Sequence, residues 1–394
     1  MCIIAAMAKN KYSIPFHKTC VSPEEIKSVA GVLRSGIISS GPVTEKFENN
    51  FSRYTGAKYS VAVNSCTAAL HLALIAIGIK PGDEVIVPAL TFSATAQVVC
   101  YLGAKPVLVD VENDTHNMNV RKIRGAITSK TKAIIPVHYG GQPCDMDEII
   151  KIAKKHGLYV VEDAAHCLPA YYKGKSIGKI GDITCFSFYA TKPITTGEGG
   201  MLTTNNSKWA NRIKKLRIHG ISNDFFHRYS DKGSWYYEVT ELGYKYNMSD
   251  INAALGLVQL KKADTKLKIR SSIARKYTNA LKGIRLIETP YVKPDRESSW
   301  HLYPIKLKLE EMRIDRDSFI KQLQKAGICT SVHFIPLYRH PFYRNTFAYN
   351  IKDFPNTEWV YERLISLPIF PGIKEKEIEY ISNTIKKICS RSKK

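Results

Sequence analysis

The sequence predicts an α/β protein: a large domain with a mostly parallel seven-stranded sheet between helices, and a smaller C-terminal α/β domain. Three observations point there. From about Lys58, short β-branched runs alternate with amphipathic stretches of helix length, which is how parallel strands joined by helical crossovers read. The chain has 394 residues, more than one average domain holds. From Ile284 onward the texture changes, with strands and helices set further apart and more aromatics and prolines between them.

Met1 to Met7 is mildly apolar but lacks a basic flank, and Lys9-Asn10-Lys11 interrupts it, so residues 1–13 read as a disordered leader rather than a signal peptide. Residues 14–264 then form the large domain. Tyr59 to Val63 is its first strand, and Thr67 to Ile77 a helix ending near Gly78. Glu84 to Val87 is a strand that stops at Pro88. A helix around Ala94 to Leu102 precedes the strand Pro106 to Val111. Ala133 to Tyr139 is the next strand; Asp145 caps a helix that runs to about His156, with Gly157 at its exit. Tyr159 to Glu162, Ile183 to Tyr189 and Gly200 to Thr204 complete seven strands. A helix over Ser249 to Lys261 and a basic helix over Asp264 to Leu281 lead into residues 265–394, the smaller domain, with strands at Leu302 to Leu309 and Cys329 to Ile335.

Hydrophobic residues at 44% and charged residues at 24% exclude a disordered or coiled-coil chain. Lys and Arg number 58 against 35 Asp and Glu, a formal charge of +23 that suits an anionic substrate. The excess is spread over solvent faces of helices, with no interleaved aromatic and basic module, so no nucleic-acid partner is expected. Nine cysteines without a Cys-x-x-Cys pair indicate no zinc ribbon, iron-sulfur cluster or secreted disulfide framework; no metal is expected, and the chain reads as cytoplasmic. The longest apolar stretch, Val85 to Val111, is broken by Pro88, Gln97, Lys105 and Pro106, so no membrane span is expected.

In open α/β sheets ligands sit at the carboxyl ends of the strands, and the polar residues there form a coherent set. Asn64-Ser65-Cys66-Thr67-Ala68-Ala69 opens directly into a helix, whose free N–H groups and positive dipole end suit a phosphate; taken alone it is an ordinary Ser/Thr cap. Asp163 stands just past a strand, where a carboxylate is often only a helix cap. Lys192 follows the strand ending at Tyr189, in a turn that Pro193 and Gly197 to Gly200 keep from becoming helix. A lone lysine is usually solvated surface. Together, a phosphate cradle, a strand-end Asp and a later Lys are what pyridoxal 5′-phosphate (PLP) requires: an amine for its aldehyde and a carboxylate that keeps the pyridine nitrogen protonated. Phe92, past another strand end, is placed to stack on the ring or to serve as a core aromatic.

From about Ile14 to Ile388 the chain resembles the DegT/DnrJ/StrS sugar aminotransferases, fold type I PLP enzymes. The resemblance rests on Asn64 to Leu70, Pro88 to Thr95, Val161 to His166, and Gly181-Asp182 through Phe186 to Lys192 and on to Gly200. Tyr244 to Asp250 and Val332 to Leu337 support it. It implies that Lys192 is the Schiff-base lysine and Asp163 the partner of the pyridine nitrogen. Thr67, Ala68 and Ser187 would hold the phosphate, Phe92 would stack on the ring and His166 would lie beside the ring hydroxyl. Asn247 would reach the phosphate of the other subunit, which implies a homodimer. Cys66 stands where Gly or Ala is more usual, His166 where Gln is common, and the leader is extra.

The activity implied is transfer of an amino group from an amino acid, glutamate by family habit, to a nucleotide-linked keto sugar. The loop Pro193 to Gly200 is more similar to members that aminate carbon 4 than to those acting at carbon 3, which stays the alternative. His219, Arg217, Lys245 and His333 are candidates for handling the diphosphate, though each alone is more often a surface residue or a satisfied histidine. Relatives that remove a hydroxyl replace the lysine by His or use an iron-sulfur cluster, and Lys192 and the scattered cysteines argue against both. A catalytically inactive regulatory relative is a further alternative, with no added DNA-binding module to favour it. Gly174-Lys175-Ser176 mimics the tail of a P-loop, but Pro169 holds the upstream glycine position.

Overall fold

The computed structural model describes residues 13–221 and 236–394, so all of the expected leader except Ser13 lies outside the described residues. Seven strands form one sheet: β1 Tyr59–Val63, β2 Glu84–Pro88, β3 Lys105–Val109, β4 Thr131–Ile134, β5 Tyr159–Asp163, β6 Ile183–Ser187 and β7 Gly200–Thr204. Their order across the sheet is β1-β7-β6-β5-β4-β2-β3. β7 is antiparallel to both neighbours and the remaining adjacent pairs are parallel, so six strands point one way and their carboxyl ends share an edge.

The strands are continuous apolar runs because both faces are covered. Along β2, Val85 and Val87 enter the core that contains Leu70, Leu72 and Leu74, while Ile86 enters the opposite core with Phe47, Phe51, Phe186 and Phe188. The helix Cys66–Ala76 is buried on almost every side, which is why it carries no amphipathic pattern. It follows β1 with a single residue, Asn64, before its Ser65 cap, so its N-terminus is fixed at the strand-end edge.

Several boundaries differ from expectation for physical reasons. β4 ends at Ile134 rather than running to Tyr139, because Pro136 has no N–H to offer a ladder; pairing resumes only as the bridge Val137 to Asp163. Asp145 precedes the helix Met146–His156 but makes no capping bond, since its carboxylate is taken by Lys293 at 2.6 Å and Arg296 at 2.8 Å. Cys329 to Ile335 is not a strand: it pairs only at Ser331 with Ser366 and otherwise runs irregularly, delivering His333 and Phe334 to the cleft described below. The P-loop mimic lies in a hairpin whose second strand is Lys175–Ser176, so it begins no helix.

A second, antiparallel sheet joins Ile287–Glu288, Tyr303–Leu307 and Leu364–Leu367. The long helices Ala263–Leu281 and Glu375–Ser392 share its core, which includes Tyr277, Tyr303, Ile305, Phe319 and Ile381. Ile14 belongs to this core. Its N–H donates to Gly327 O at 2.8 Å and its carbonyl accepts from Cys329 N at 3.0 Å, tying the start of the described chain to the C-terminal sheet region. No helix among the described residues is long and apolar enough to cross a membrane.

Candidate active site

A cavity of 440 Å³ opens at the edge where the six strands end. Thr67 reaches it from the helix after β1, Phe92 from the turn after β2, Asp163 and His166 from the end of β5, and Ser187 and Lys192 from the end of β6; His333 and Phe334 close it from the C-terminal region. Strand-end residues from Thr67 to Lys192, 125 positions apart in sequence, thus share one wall because parallel topology returns the strand ends to the same edge.

Asp163 is 5% exposed. Its Oδ2 accepts from Thr95 Oγ1 at 2.8 Å, and its Oδ1 accepts from Ala165 N at 3.1 Å. Thr95 in turn meets Thr91 Oγ1 at 2.9 Å, one helical turn back. Burial nevertheless holds the Asp163 carboxyl above the ordinary carboxylate range, against the pull of those bonds and of Lys192. A carboxylate in that condition gains more than a solvated one from a cationic partner. Next to it Glu162 turns to the opposite side, where it accepts from His138 Nε2 at 2.9 Å, Thr184 Oγ1 at 2.7 Å and Gly181 N at 2.7 Å. These bonds pin the end of β5 from below.

Lys192 is half-buried in the cavity wall. Its N–H closes a turn onto Tyr189 O at 2.9 Å, and Thr196 N returns to Phe188 O at 3.0 Å, so the loop folds back on β6 instead of continuing it. Burial lowers its pKa to about 8, with Cys66 and Asp163 opposing the shift. His166 is held neutral, its pKa well below the usual value through burial first and the Lys192 charge second. Its Nδ1 accepts from Gly140 N at 3.3 Å, which leaves the ring proton on Nε2. The Cys66 thiol, also in the wall, is pushed up well above its usual pKa by burial and by Asp163, so it stays protonated.

This donor set fits PLP: an amine, a buried carboxylate, an exposed aromatic face at Phe92, a neutral imidazole, and hydroxyls at a helix N-terminus. The N-terminus is brought in by Gly200 at the start of β7. A Cβ there would sit 2.7 Å from Cys66 N and closer still to the Ser65 carbonyl, so only glycine lets β7 pass beneath the turn. Gly200→Ala should cost about 1–3 kcal/mol of stability and weaken PLP binding about tenfold. Thermal melting and PLP titration of the apoprotein check this; unchanged PLP affinity would contradict the role given to the turn.

Not every candidate residue meets the cavity. Ala68 is not among the residues that line it, and its N–H is donated to Ser65 Oγ at 3.0 Å. Asn247 donates to Ser40 Oγ at 2.6 Å outside it. His219 and Lys245 are exposed and lie outside the wall, and Arg217 is buried against Glu48 and the Ala62 carbonyl instead of facing an anion. Conversely Thr95, Tyr189, Glu198, His301 and Phe334 line the cavity without having been singled out. Thr95, four residues after Thr91 at a helix start, was legible as a second hydroxyl on that face; His301 carries no local signal.

The family model described as the DegT/DnrJ/EryC1/StrS aminotransferase family matches residues 19–386. An uncharacterized protein of Methanocaldococcus jannaschii, MJ1066, is 53% identical over 98% of this chain and 100% of its own length. The spore coat polysaccharide biosynthesis protein SpsC of Bacillus subtilis is 46% identical over 96% of this chain and 98% of its own. Among solved structures, the putative sugar aminotransferase Spr1654 of Streptococcus pneumoniae in its PLP form superposes with a TM-score of 0.90 at 36% identity, covering 96% of this chain and 99% of that one.

Proposed function

The chain belongs to the DegT/DnrJ/EryC1/StrS aminotransferase family, and on that premise we propose that it moves an amino group from an amino acid, L-glutamate, to a nucleotide-linked 4-keto-6-deoxy sugar. It is a fold type I sugar aminotransferase and its cofactor is PLP. The observation that carries the site assignment is that Lys192 and Asp163 line one cavity, together with the hydroxyl-rich N-terminus of the helix Cys66–Ala76.

When bound, PLP supplies an aldehyde carbon that carries the amino group and a ring that accepts electrons. Asp163 holds the ring nitrogen, and Thr95 and Ala165 keep its carboxylate oriented. His166 presents Nε2–H to the ring oxygen. Thr67 and Ser187 would take the phosphate, the Ala68 N–H to Ser65 Oγ bond would fix the turn, and Phe92 would cover the ring. Lys192 would hold the cofactor aldehyde through its amine and, when that amine is free, would move the proton from the donor carbon and later onto the sugar carbon. A pKa of about 8 leaves roughly a tenth of its amine neutral at pH 7, against well under a hundredth for an ordinary solvated lysine.

The reading includes a homodimer with Asn247 serving the partner's cavity, since it lies outside its own. A row of exposed apolar side chains, Ile26, Leu33, Ile37 and Ile38, each at least half exposed, supports a buried partner surface there. Residues 14–264 act as the cofactor-holding domain and 265–394 as the smaller one. The eight described cysteines are all free, in keeping with a cytoplasmic setting. His219, Lys245 and His333 remain the groups proposed for the sugar nucleotide, the first two across the dimer.

Incubation with L-glutamate and a panel of nucleotide keto sugars, read by mass, tests the reaction: a 4-amino sugar with 2-oxoglutarate is expected, and no amino sugar from any 3- or 4-keto substrate would refute it. Loading of the apoprotein gives a separate check. Only the neutral amine attacks an aldehyde, so the rate of PLP capture should rise with pH and reach half its plateau near pH 8. A rise centred near the ordinary lysine value of about 10.4 would contradict the buried setting of Lys192.

A further inference from the structure

His301 lines the cavity yet has no part in the reaction as described. It is 7% exposed, and its Nδ1 is sealed from solvent with no hydrogen-bond partner. The segment that carries it is heavily constrained. Trp300 takes φ 51°, a left-handed conformation that is costly for a bulky residue and persists only where surroundings enforce it. Ser299 N donates to Gly141 O at 3.0 Å, Leu302 N to Gly140 O at 3.1 Å, and Arg270 Nη1 to Trp300 O at 3.1 Å. Gly141, at φ 106°, has no room for a side chain, because a Cβ would meet Trp300 N at 3.1 Å. The imidazole so fixed lies 4.5 Å from the ring of His166.

An N–H sealed at Nδ1 would be a stranded donor, whereas a bare lone pair there costs less, so the proton sits on Nε2. With Nδ1 closed off, the ring edge left to face the cavity carries Nε2. The surroundings are positive. Arg270 is 1% exposed and has no carboxylate partner among the described residues; its bonds go to the carbonyls of Trp300 and Ile369. Lys192 is the other nearby charge, and with burial the two cations hold His301 neutral. No arginine lines the cavity among the described residues.

An amino donor bears its α-carboxylate on the carbon whose proton Lys192 removes, so that carboxylate must be received close to the lysine. We propose that His301 Nε2–H binds the α-carboxylate of the amino-acid donor, with the buried Arg270 guanidinium behind it supplying a favourable potential. The proposal rests on the aminotransferase reading above and adds how the donor is recognised. A neutral N–H in a positive field accepts the donor and then releases the keto acid more readily than a guanidinium fork would.

The experiment follows the donor half-reaction of the holoenzyme by cofactor absorbance, comparing L-glutamate with 4-aminobutyrate, which lacks the α-carboxylate. Wild type should prefer glutamate. His301→Phe should raise the half-saturating glutamate concentration about 10- to 100-fold and erase the preference, leaving half-saturation by the keto sugar in the second half-reaction within about twofold. His301→Gln, which keeps an N–H donor, should retain most of the preference. Should the Phe variant fail to hold PLP, His301→Asn, whose shorter side chain withdraws the donor, is read in its place. An undiminished preference for glutamate in the Phe or Asn variant, or an effect confined to the sugar, would overturn the proposal. Wild type that accepts no amino acid would instead overturn the parent reading.

Discussion

Lys192→Ala will abolish amino transfer, lowering turnover by about 10³-fold or more, and will remove the absorbance of lysine-bound cofactor. The loss is large because one amine performs three tasks: holding the cofactor, taking a proton from the donor and giving one to the sugar. No other lysine lines the cavity to replace it among the described residues. The fold should survive, since the Lys192 backbone turn onto Tyr189 O does not depend on the side chain, and removing a half-buried ammonium leaves no buried carboxylate without bonds: Asp163 keeps Thr95 and Ala165. Lys192→Arg, which preserves the charge but not a nucleophilic amine, should be as inactive as alanine. Substantial turnover in either variant would remove Lys192 from the chemistry.

Asp163→Asn is expected to lower turnover about 10²- to 10⁴-fold while leaving the apoprotein as stable as wild type or more so. The two effects have one cause. Burial raises the folded-state pKa of Asp163 above its unfolded value, so protonation favours the folded apoprotein and the ionised group opposes it. Wherever it is ionised in the apoprotein, the wild-type side chain is a destabilising charge that an amide of the same shape lacks. With PLP bound that same charge meets the protonated ring nitrogen, and the amide cannot. Melting of apo and PLP-loaded forms separates the terms: Asp163→Asn should melt no lower than wild type without PLP and gain less on adding it. Equal gains would show that the carboxylate does not hold the ring.

The large sheet was legible because buried parallel strands are short apolar runs punctuated by Pro and Gly, as in Val85-Ile86-Val87-Pro88, and local composition suffices to find them. The run Cys329 to Ile335 has the same composition and is not a strand: its neighbour Leu364–Leu367 pairs with Tyr303–Leu307, leaving Ser331 a single bridge. Nothing local distinguishes the two. In the site, Lys192 and Asp163 were visible from spacing and turn residues, since strand ends converge by topology. His301 was not, because its place depends on contacts from Gly140, Gly141 and Arg270, far away in the chain. Arg217 and Asp145 misled for a related reason: a charged side chain is assigned by its partner, and Glu48, Lys293 and Arg296 are distant in sequence.

Under the proposed function, Lys192 and Asp163 would hold one PLP ring between them. Borohydride reduction of the holoenzyme fixes the cofactor to whichever amine holds it, and peptide mass spectrometry then locates the added mass. A single labelled peptide containing Lys192 is expected, lost in Lys192→Ala and present at reduced occupancy in Asp163→Asn. Label on any other lysine, or full labelling that ignores the loss of the Asp163 charge, would contradict it.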